Sequence, residues 1–300
     1  MILTDPVANG RTTFFLGGPP SWAKDSPVPL MLSVNALARY RSRGERFPSA
    51  RCLWALDSAG FSQIGRHGEF LLDPDEYGGM VYRLMDDFGA PPVFASVQDW
   101  MTEPQILARS GFGLRRHQEF TVDSYLYLTE QFGQAPWIPI LQGQSVEDYV
   151  EHCRMYERAG VDLAQAFRVG VGSVCRRQGT RATGHILATL AGRGYALHGF
   201  GIKSDGLDRH GHHLVSADSY AWSAGARRQH PAGRLRAPKC RLPQLPRLRD
   251  GLARCGDREA EDSEAAHAGP VTPPWRRRSG SVIQEPARGQ AAADLTGSHH

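Results

Sequence analysis

The chain has 300 residues, of which 41% are hydrophobic and 22% charged, proportions that are typical of a globular protein and exclude a wholly disordered or fibrous one. No apolar run is long enough to span a bilayer, and the N-terminal residues lack the basic-then-apolar order of a signal peptide. Five scattered cysteines form no disulfide framework, so we expect a cytoplasmic protein with no membrane partner.

The net charge of +4 is unevenly distributed along the chain. Residues 226–300 hold 14 Lys and Arg against 8 Asp and Glu, whereas residues 1–225 hold 21 against 23. The last 75 residues are also rich in Arg and Pro and show no sustained helical or strand period, which is typical of disorder. We therefore predict a folded domain over 1–225 and a basic, disordered tail over 226–300. The tail also fits a shifted reading frame, which resequencing around codon 225 would test.

Seven short apolar runs in the first 225 residues predict β-strands. Most of the predicted strands are separated by segments whose apolar residues have helical spacing. The apolar residues within 80–88 share one helix face. Ser145 and Asp148 predict a capping box at the start of a second helix, which Gly160 would end. The predicted strands span residues 12–18, 52–58, 91–99, 137–143, 166–173, 195–201 and 213–219.

Strands that alternate with helices predict an α/β fold with a parallel sheet, and seven of them favour a (β/α)₈ barrel over an open sheet. Two features oppose this prediction. Pro139 lies within a predicted strand, where it cannot donate to a ladder, and the last two runs leave little room for a crossover helix. An eighth strand would have to come from the tail, which leaves the barrel incomplete at its C-terminus if the tail supplies none.

Polar and small residues follow the predicted strands, and the C-terminal ends of barrel strands share one rim. Each Asp or Gly alone is more commonly a turn or helix-cap residue. Three carboxylates, one amide and several glycines on one rim nevertheless predict a ligand site. These residues are Asp57, Asp99, Gln142, Gly143, Gly170, Gly172, Gly199, Gly201 and Asp218.

Several of these segments resemble the motifs of the tRNA-guanine transglycosylases. The stretch LDSAGFSQI is similar to the DSGGFQ box of that family, and VQDW, ILQGQ, RVGVGS, HGFGIKS and SADSYAWS follow in the family's order. The forms FFLGGPPSW and SADSYAW are most similar to the branch that inserts 7-deazaguanine bases into DNA. The resemblance covers about residues 12–225 and implies a base-exchange enzyme that acts on guanine in DNA, with a free 7-deazaguanine base as its second substrate.

The resemblance also implies roles for the matching residues. Asp218 would attack C1′ and hold the sugar covalently, and Asp57 would move a proton to and from the purine. Asp99 would accept hydrogen bonds from guanine N1–H and the amine, and Gln142 and a backbone N–H near Gly172 would donate to O6. Phe200 would either stack on the base or pack in the core. The predicted substrate-binding residues are Ser58, Gly60, Phe61, Asp99, Gln142, Gly143, Gly170, Gly172, Gly199, Phe200 and Gly201.

Small residues after Asp57 would leave space for a flat purine, although the family has glycine at the position of Ala59. The family's CxCxxC zinc motif with a later His has no match, since only Cys240, Cys255 and His267 follow the nucleophile. We therefore expect no cofactor and no family-type structural zinc. The histidines of the segment DRHGHH have a metal-ligand spacing, but we expect a solvated loop there.

Three other interpretations stay open. The same reaction on tRNA is the nearest, because sequence alone hardly separates the two polymers. A barrel glycoside hydrolase shares the two-carboxylate chemistry and predicts tryptophans along its cleft. An inactive barrel that binds nucleic acid through its basic tail predicts binding with steep salt dependence. A homodimer or the subunits of a modification complex are compatible partners.

Overall fold

A computed structural model describes residues 12–41, 46–47 and 49–220. The predicted tail over 226–300, with Cys240, Cys255 and His267, lies outside the described residues. In the part of the chain that is described, every helix is too short or too polar to cross a bilayer.

Nine short parallel strands form one sheet within the described residues, in the order β5-β4-β3-β2-β1-β9-β8-β7-β6. The first and last strands of this order are separated in the chain by Pro139 alone. The sheet is therefore a nearly closed barrel, which confirms the predicted α/β barrel. The strands are β1 (Thr13–Gly17), β2 (Leu30–Ser33), β3 (Trp54–Asp57), β4 (Ala95–Ser96), β5 (Trp137–Ile138), β6 (Ile140–Leu141), β7 (Val169–Val171), β8 (Leu197–Gly199) and β9 (Ser216–Ser219).

Helices alternate with these strands. The predicted apolar face over 80–88 lies in α3, where Val81, Leu84 and Phe88 are buried. The predicted capping box of Ser145 begins α6, and Gly160, with φ of +81°, follows its end. The helices are α1 (Val34–Arg41), α2 (Gly60–His67), α3 (Pro74–Phe88), α4 (Pro104–Ser110), α5 (Leu114–Gln131), α6 (Val146–Arg158), α7 (Arg181–Gly192) and α8 (Ser204–His210).

The strand that sequence reasoning missed is β2. It pairs with β1 on one side and with β3 on the other, and β1 also pairs with β9. With β5 and β6 taken as one strand interrupted at Pro139, β2 completes a set of eight. The expectation that an eighth strand would have to come from the tail was wrong. Leu30, Met31 and Leu32 are all fully buried, as are the residues of β7 and β8, so β2 has the same burial as strands that the sequence did predict.

The two features that opposed a barrel both have a local explanation. Pro139 lies where the strand changes partner, since β5 pairs with β4 and β6 pairs with β7. Its carbonyl still accepts a hydrogen bond from the backbone N–H of Gly170 at 2.9 Å. Between β8 and β9, the seven-residue α8 and one 3₁₀ turn (Gly211–His213) supply a short crossover.

The apolar core has two main parts. One packs α3 against β3, where the rings of Trp54 and Phe88 meet edge to face at 4.8 Å. The other includes Tyr149 of α6, Leu187 of α7 and Leu197 of β8, all fully buried. These two parts position the C-terminal ends of the strands, where the polar residues gather.

Candidate active site

Three carboxylates lie at the C-terminal ends of the strands. Asp57 ends β3, Asp99 follows β4, and Asp218 is the third residue of β9. Asp99 and Asp218 are 3% and 4% exposed, and Asp57 is partly buried. Burial, followed by the charges of Asp99 and Asp218, raises the pKa of Asp57 to about 8. The three groups that sequence reasoning placed on one rim therefore interact electrostatically.

Hydrogen bonds and burial act in opposite directions on the pKa of Asp57. The backbone N–H of Ala59 and the hydroxyl of Ser33, its partner across β2 and β3, hydrogen bond with its carboxyl group. These bonds lower the pKa of Asp57, but burial outweighs them. A carboxyl group with this pKa is mainly protonated at neutral pH.

The turn after Asp57 is tightly packed. Ala59 has φ of +63° and ψ of +24°, in the left-handed region that favours glycine. A Cβ on Gly60 would lie 2.7 Å from the carbonyl oxygen of Asp99 and 3.0 Å from the ring of Phe70. The small side chain at Gly60 is thus explained by close packing against the Asp99 segment. The next residue, Phe61, is partly buried, with the guanidinium of Arg176 5.0 Å from its ring centre.

A second group of side chains, which we call the Asp99 cluster, contains Ser58, Asp99, Glu103, Gln142 and Ser173. Asp99 accepts a hydrogen bond from Ser58 Oγ at 2.8 Å and another from Gln142 Nε2 at 2.6 Å. Burial raises the pKa of Asp99 to about 6, although these two bonds oppose the shift. Asp99 and Gln142, the predicted guanine-recognition pair, are therefore brought into direct contact.

Gly172 seats the amide of Gln142. A Cβ on Gly172 would lie 2.2 Å from Gln142 Nε2, so the amide occupies the space that any larger residue would fill. The backbone N–H of Gly172 donates to the carbonyl of Leu141 at 3.0 Å, within the ladder. Gly172 thus shapes the site through its missing side chain.

Sequence reasoning missed the two other members of the cluster. Ser173 Oγ lies 2.7 Å from Gln142 Oε1 and 2.9 Å from Glu103 Oε2, and its single proton can serve only one of them. Glu103 is 7% exposed. In the sequence it precedes Pro104 and has the pattern of a helix cap, and nothing local links it to a residue 70 positions away. Ser173, with φ of +52°, follows β7 as a predicted turn residue would.

Asp218 is held from one side. The backbone N–H of Gly201 donates to Asp218 Oδ1 at 2.9 Å, and His198 Nε2 lies 3.4 Å from the same oxygen. Gly201 has φ of +67°, and a Cβ there would lie 2.6 Å from Cys175 Cβ. Only glycine fits the loop that brings this N–H to the predicted nucleophile.

The remaining predicted residues lie in the walls of the site. Gly143, Gly170 and Gly199 let neighbouring side chains approach closely, and a Cβ on Gly170 would lie 2.6 Å from the ring of Phe200. Phe200 is partly buried, and its ring lies edge-on to His198 at 4.6 Å. Its stacking on a base stays a prediction.

Several arginines near the site, and the first histidine of the segment DRHGHH, contact neighbouring residues of the chain. Arg115 and Arg116 both pair with Glu119, and Arg177 donates to the carbonyl oxygen of Gly143 at 2.8 Å. Among residues 12–220, as far as they are described, no three or more His, Cys, Asp or Glu side chains could hold a metal ion. His210 ends α8 and contacts the carbonyl of Thr180 at 3.1 Å.

A comparison with known families agrees with this geometry. The family model for DeoxyPurine in DNA protein A (DpdA) matches residues 11–258, which include every predicted site residue. The chain belongs to the DpdA family. DpdA is a tRNA-guanine transglycosylase-like family with a role in 7-deazaguanine modification of DNA, so the resemblance read from the sequence motifs is confirmed. The DpdA match also extends past Gly225 into the predicted tail. A search of curated proteins gives no match.

Proposed function

We propose that this DpdA-family chain replaces a guanine in DNA with a free 7-deazaguanine base through a covalent intermediate on Asp218. The observation that carries the proposal is the different state of each carboxylate at the rim. Asp57 is mainly protonated at neutral pH, Asp99 is hydrogen bonded to an amide, and Asp218 carries its close contacts on one oxygen. Carboxylates in different environments are what an exchange by two displacements requires.

In the first displacement, an oxygen of Asp218 attacks C1′ of the target nucleotide. The C1′–N9 bond breaks and its electron pair leaves with the guanine, which takes a proton from Asp57. The deoxyribose then remains attached to Asp218 as an ester. The raised pKa of Asp57 supports its role as the acid in this step.

In the second displacement, N9 of the incoming base attacks C1′ and its proton passes to the Asp57 carboxylate. The ester bond to Asp218 breaks and its electron pair returns to the carboxylate. Asp57 is then protonated again, so the cycle closes without any other proton donor. Two inversions at C1′ give retention of configuration.

Guanine recognition in this proposal belongs to the Asp99 cluster. Asp99 accepts hydrogen bonds from the Watson–Crick edge of guanine, and Gln142 donates to O6 through its second amide proton. The close contact between Asp99 and Gln142 supports this role, because both groups are in place before the base arrives. The target nucleotide has to leave the base stack to reach them.

DNA is the proposed polymer because the family has its role in DNA modification, with tRNA as the alternative. We also propose a cytoplasmic location, supported by the free thiols of Cys52, Cys153 and Cys175 among the described residues. A homodimer or a larger modification complex stays a prediction.

The proposal is tested by exchange of a labelled base into duplex DNA and into unmodified tRNA, side by side. The full chain is compared with Asp218→Asn and with Asp208→Asn, a control that changes an exposed carboxylate in α8. We expect label in DNA with the wild type and the control, and none with Asp218→Asn.

Label that enters tRNA alone would show that the substrate is tRNA and not DNA. Exchange that survives in Asp218→Asn would contradict the proposed nucleophile. Duplex binding without exchange, lost on truncation after Gly225, would favour the inactive barrel with a basic tail.

A further inference from the structure

A column of polar side chains runs beneath the predicted nucleophile. Ser216 and Asp218 are two residues apart in β9 and so point to the same face of the sheet. His198 of β8 is paired in register with Ser216. Arg168, immediately before β7, completes the column. Barrel interiors are usually filled with branched aliphatic side chains, so a row of four buried polar side chains is unusual for this fold.

The column is continuous from Arg168 to Asp218. Arg168 donates to Ser216 Oγ, and the same oxygen lies 2.8 Å from His198 Nδ1. The other ring nitrogen of His198, Nε2, lies 3.4 Å from Asp218 Oδ1. All four side chains are buried, with Arg168 1% exposed and His198 fully enclosed. Burying a guanidinium is costly unless it is paired or hydrogen bonded, and the donation to Ser216 is one of the contacts that Arg168 makes.

Aromatic rings fix the orientation of His198. The rings of Phe15, Phe94 and Phe200 contact its imidazole at 6.2, 4.7 and 4.6 Å between ring centres. Burial lowers the pKa of His198, a shift that Asp218 opposes, so the ring is neutral near pH 7. A neutral imidazole has a single N–H, and its tautomer decides which neighbour receives it.

We propose that His198 is a positioning residue for Asp218, donating its Nε2–H to Asp218 Oδ1 in the tautomer that Ser216 and Arg168 select. Because Arg168 donates to Ser216 Oγ, the hydroxyl proton of Ser216 is directed to His198 Nδ1. The ring proton then lies on Nε2, facing Asp218. The contact of 3.4 Å is longer than a charge-assisted hydrogen bond, and a shift of a few tenths of an ångström would make it one.

This proposal rests on the proposed function and assigns the attacking oxygen. Asp218 Oδ1 receives both the Gly201 N–H and the His198 N–H, whereas Oδ2 has no donor among the described residues. Oδ2 therefore forms the bond to C1′ as the C1′–N9 electron pair leaves with the guanine, which Asp57 protonates. Oδ1 becomes the ester carbonyl and keeps both donors. No proton passes through His198.

Two nearly isosteric variants test this role. His198→Gln keeps a donor close to the position of Nε2, and His198→Met removes it. We expect the rate of covalent adduct formation on guanine-containing DNA to fall roughly 10- to 100-fold in His198→Met and only a few-fold in His198→Gln. KM for the DNA should stay within about twofold in both, because in this proposal His198 contacts Asp218 and not the base. Equal rates in the two variants, whether both wild-type or both reduced, would overturn the proposal.

A second measurement does not depend on activity. The full chain is labelled with ¹⁵N-histidine and its imidazole nitrogens are observed by NMR. The signals that are missing from the spectrum of His198→Gln belong to His198, and we expect them to show the proton on Nε2. A proton on Nδ1 would overturn the proposal even if the enzyme were active. If the wild type forms no adduct, the proposed function fails, and the tautomer still decides whether the column positions Asp218.

Discussion

The Asp99 cluster and the polar column beneath Asp218 surround their buried carboxylates with different kinds of side chain. In the Asp99 cluster, Asp99 accepts hydrogen bonds from two neutral side chains, and burial, with a further contribution from the charge of Glu103, raises its pKa to about 6. The column beneath Asp218 instead begins with a guanidinium, and it reaches the carboxylate through a serine and a neutral histidine. In the function proposed above, the two groups have different roles: the first keeps hydrogen-bonding capacity for a base, and the second holds the proposed nucleophile in one orientation.

Breaking the Asp99 cluster should affect binding of the base far more than the positioning of Asp218. In Asp99→Asn the carboxylate acceptor for the guanine edge is replaced by a neutral amide. We expect KM for guanine-containing DNA to rise roughly 10- to 100-fold, because a hydrogen bond to a charged group is worth about 1.5–3 kcal/mol. Steady-state exchange across DNA concentrations measures this, with Asp208→Asn as the control. A pure loss of kcat with unchanged KM would contradict the role given to Asp99.

The pH dependence of adduct formation should report both raised pKa values. Below about pH 6, Asp99 takes up a proton and loses acceptor capacity; above about pH 8, Asp57 is ionised and cannot protonate the leaving guanine. We expect the rate to rise through about pH 6 and to fall through about pH 8.

Single-turnover rates between pH 5 and 10 check this profile. In Asp57→Asn the fall above pH 8 should disappear, leaving a lower rate that no longer decreases on the alkaline side. A wild-type rate that continues to rise above pH 9 would show that Asp57 does not act as the acid.

The smallest expected effect concerns the turn that positions Asp57. Ala59→Gly should stabilise the fold by about 1 kcal/mol, because glycine adopts φ of +63° without the steric cost that alanine carries. Thermal or urea unfolding measures the change. Ala108→Gly, on the exposed surface of α4, is the matched control and should destabilise by a similar amount. A loss of stability in Ala59→Gly would show that the turn gains more from the methyl group than it loses in strain.

The sequence predicted the parts of the fold that carry a local pattern. Seven apolar runs became strands, and the polar residues after them, such as Asp57, Asp99 and Gln142, gather as a barrel requires. The strand β2 was missed although its three apolar residues are as buried as those of β7 and β8, which the sequence predicted. Gly60 was expected to make room for a purine, whereas its close contact is with the carbonyl of Asp99.

The missed site residues are linked only by the folded structure. Glu103 has the local pattern of a helix cap. Arg168 lies in the predicted strand over 166–173 and in the motif RVGVGS, but nothing local links it to Ser216. His198 was part of a recognised motif, yet its contact with Ser216 depends on the register of β8 and β9. Contacts of this kind depend on how the strands pair in the folded chain, and neither composition nor periodicity predicts that pairing.

The most direct test of the central claim is to locate the covalent bond. Guanine-containing DNA is incubated with the full chain, the reaction is quenched by denaturation, and the digested protein is examined by mass spectrometry for a peptide that carries the sugar. We predict the modification on Asp218 alone, lost in Asp218→Asn. A modification on Asp57, or base exchange with no modified peptide at any time, would contradict the assignment of Asp218 as the nucleophile.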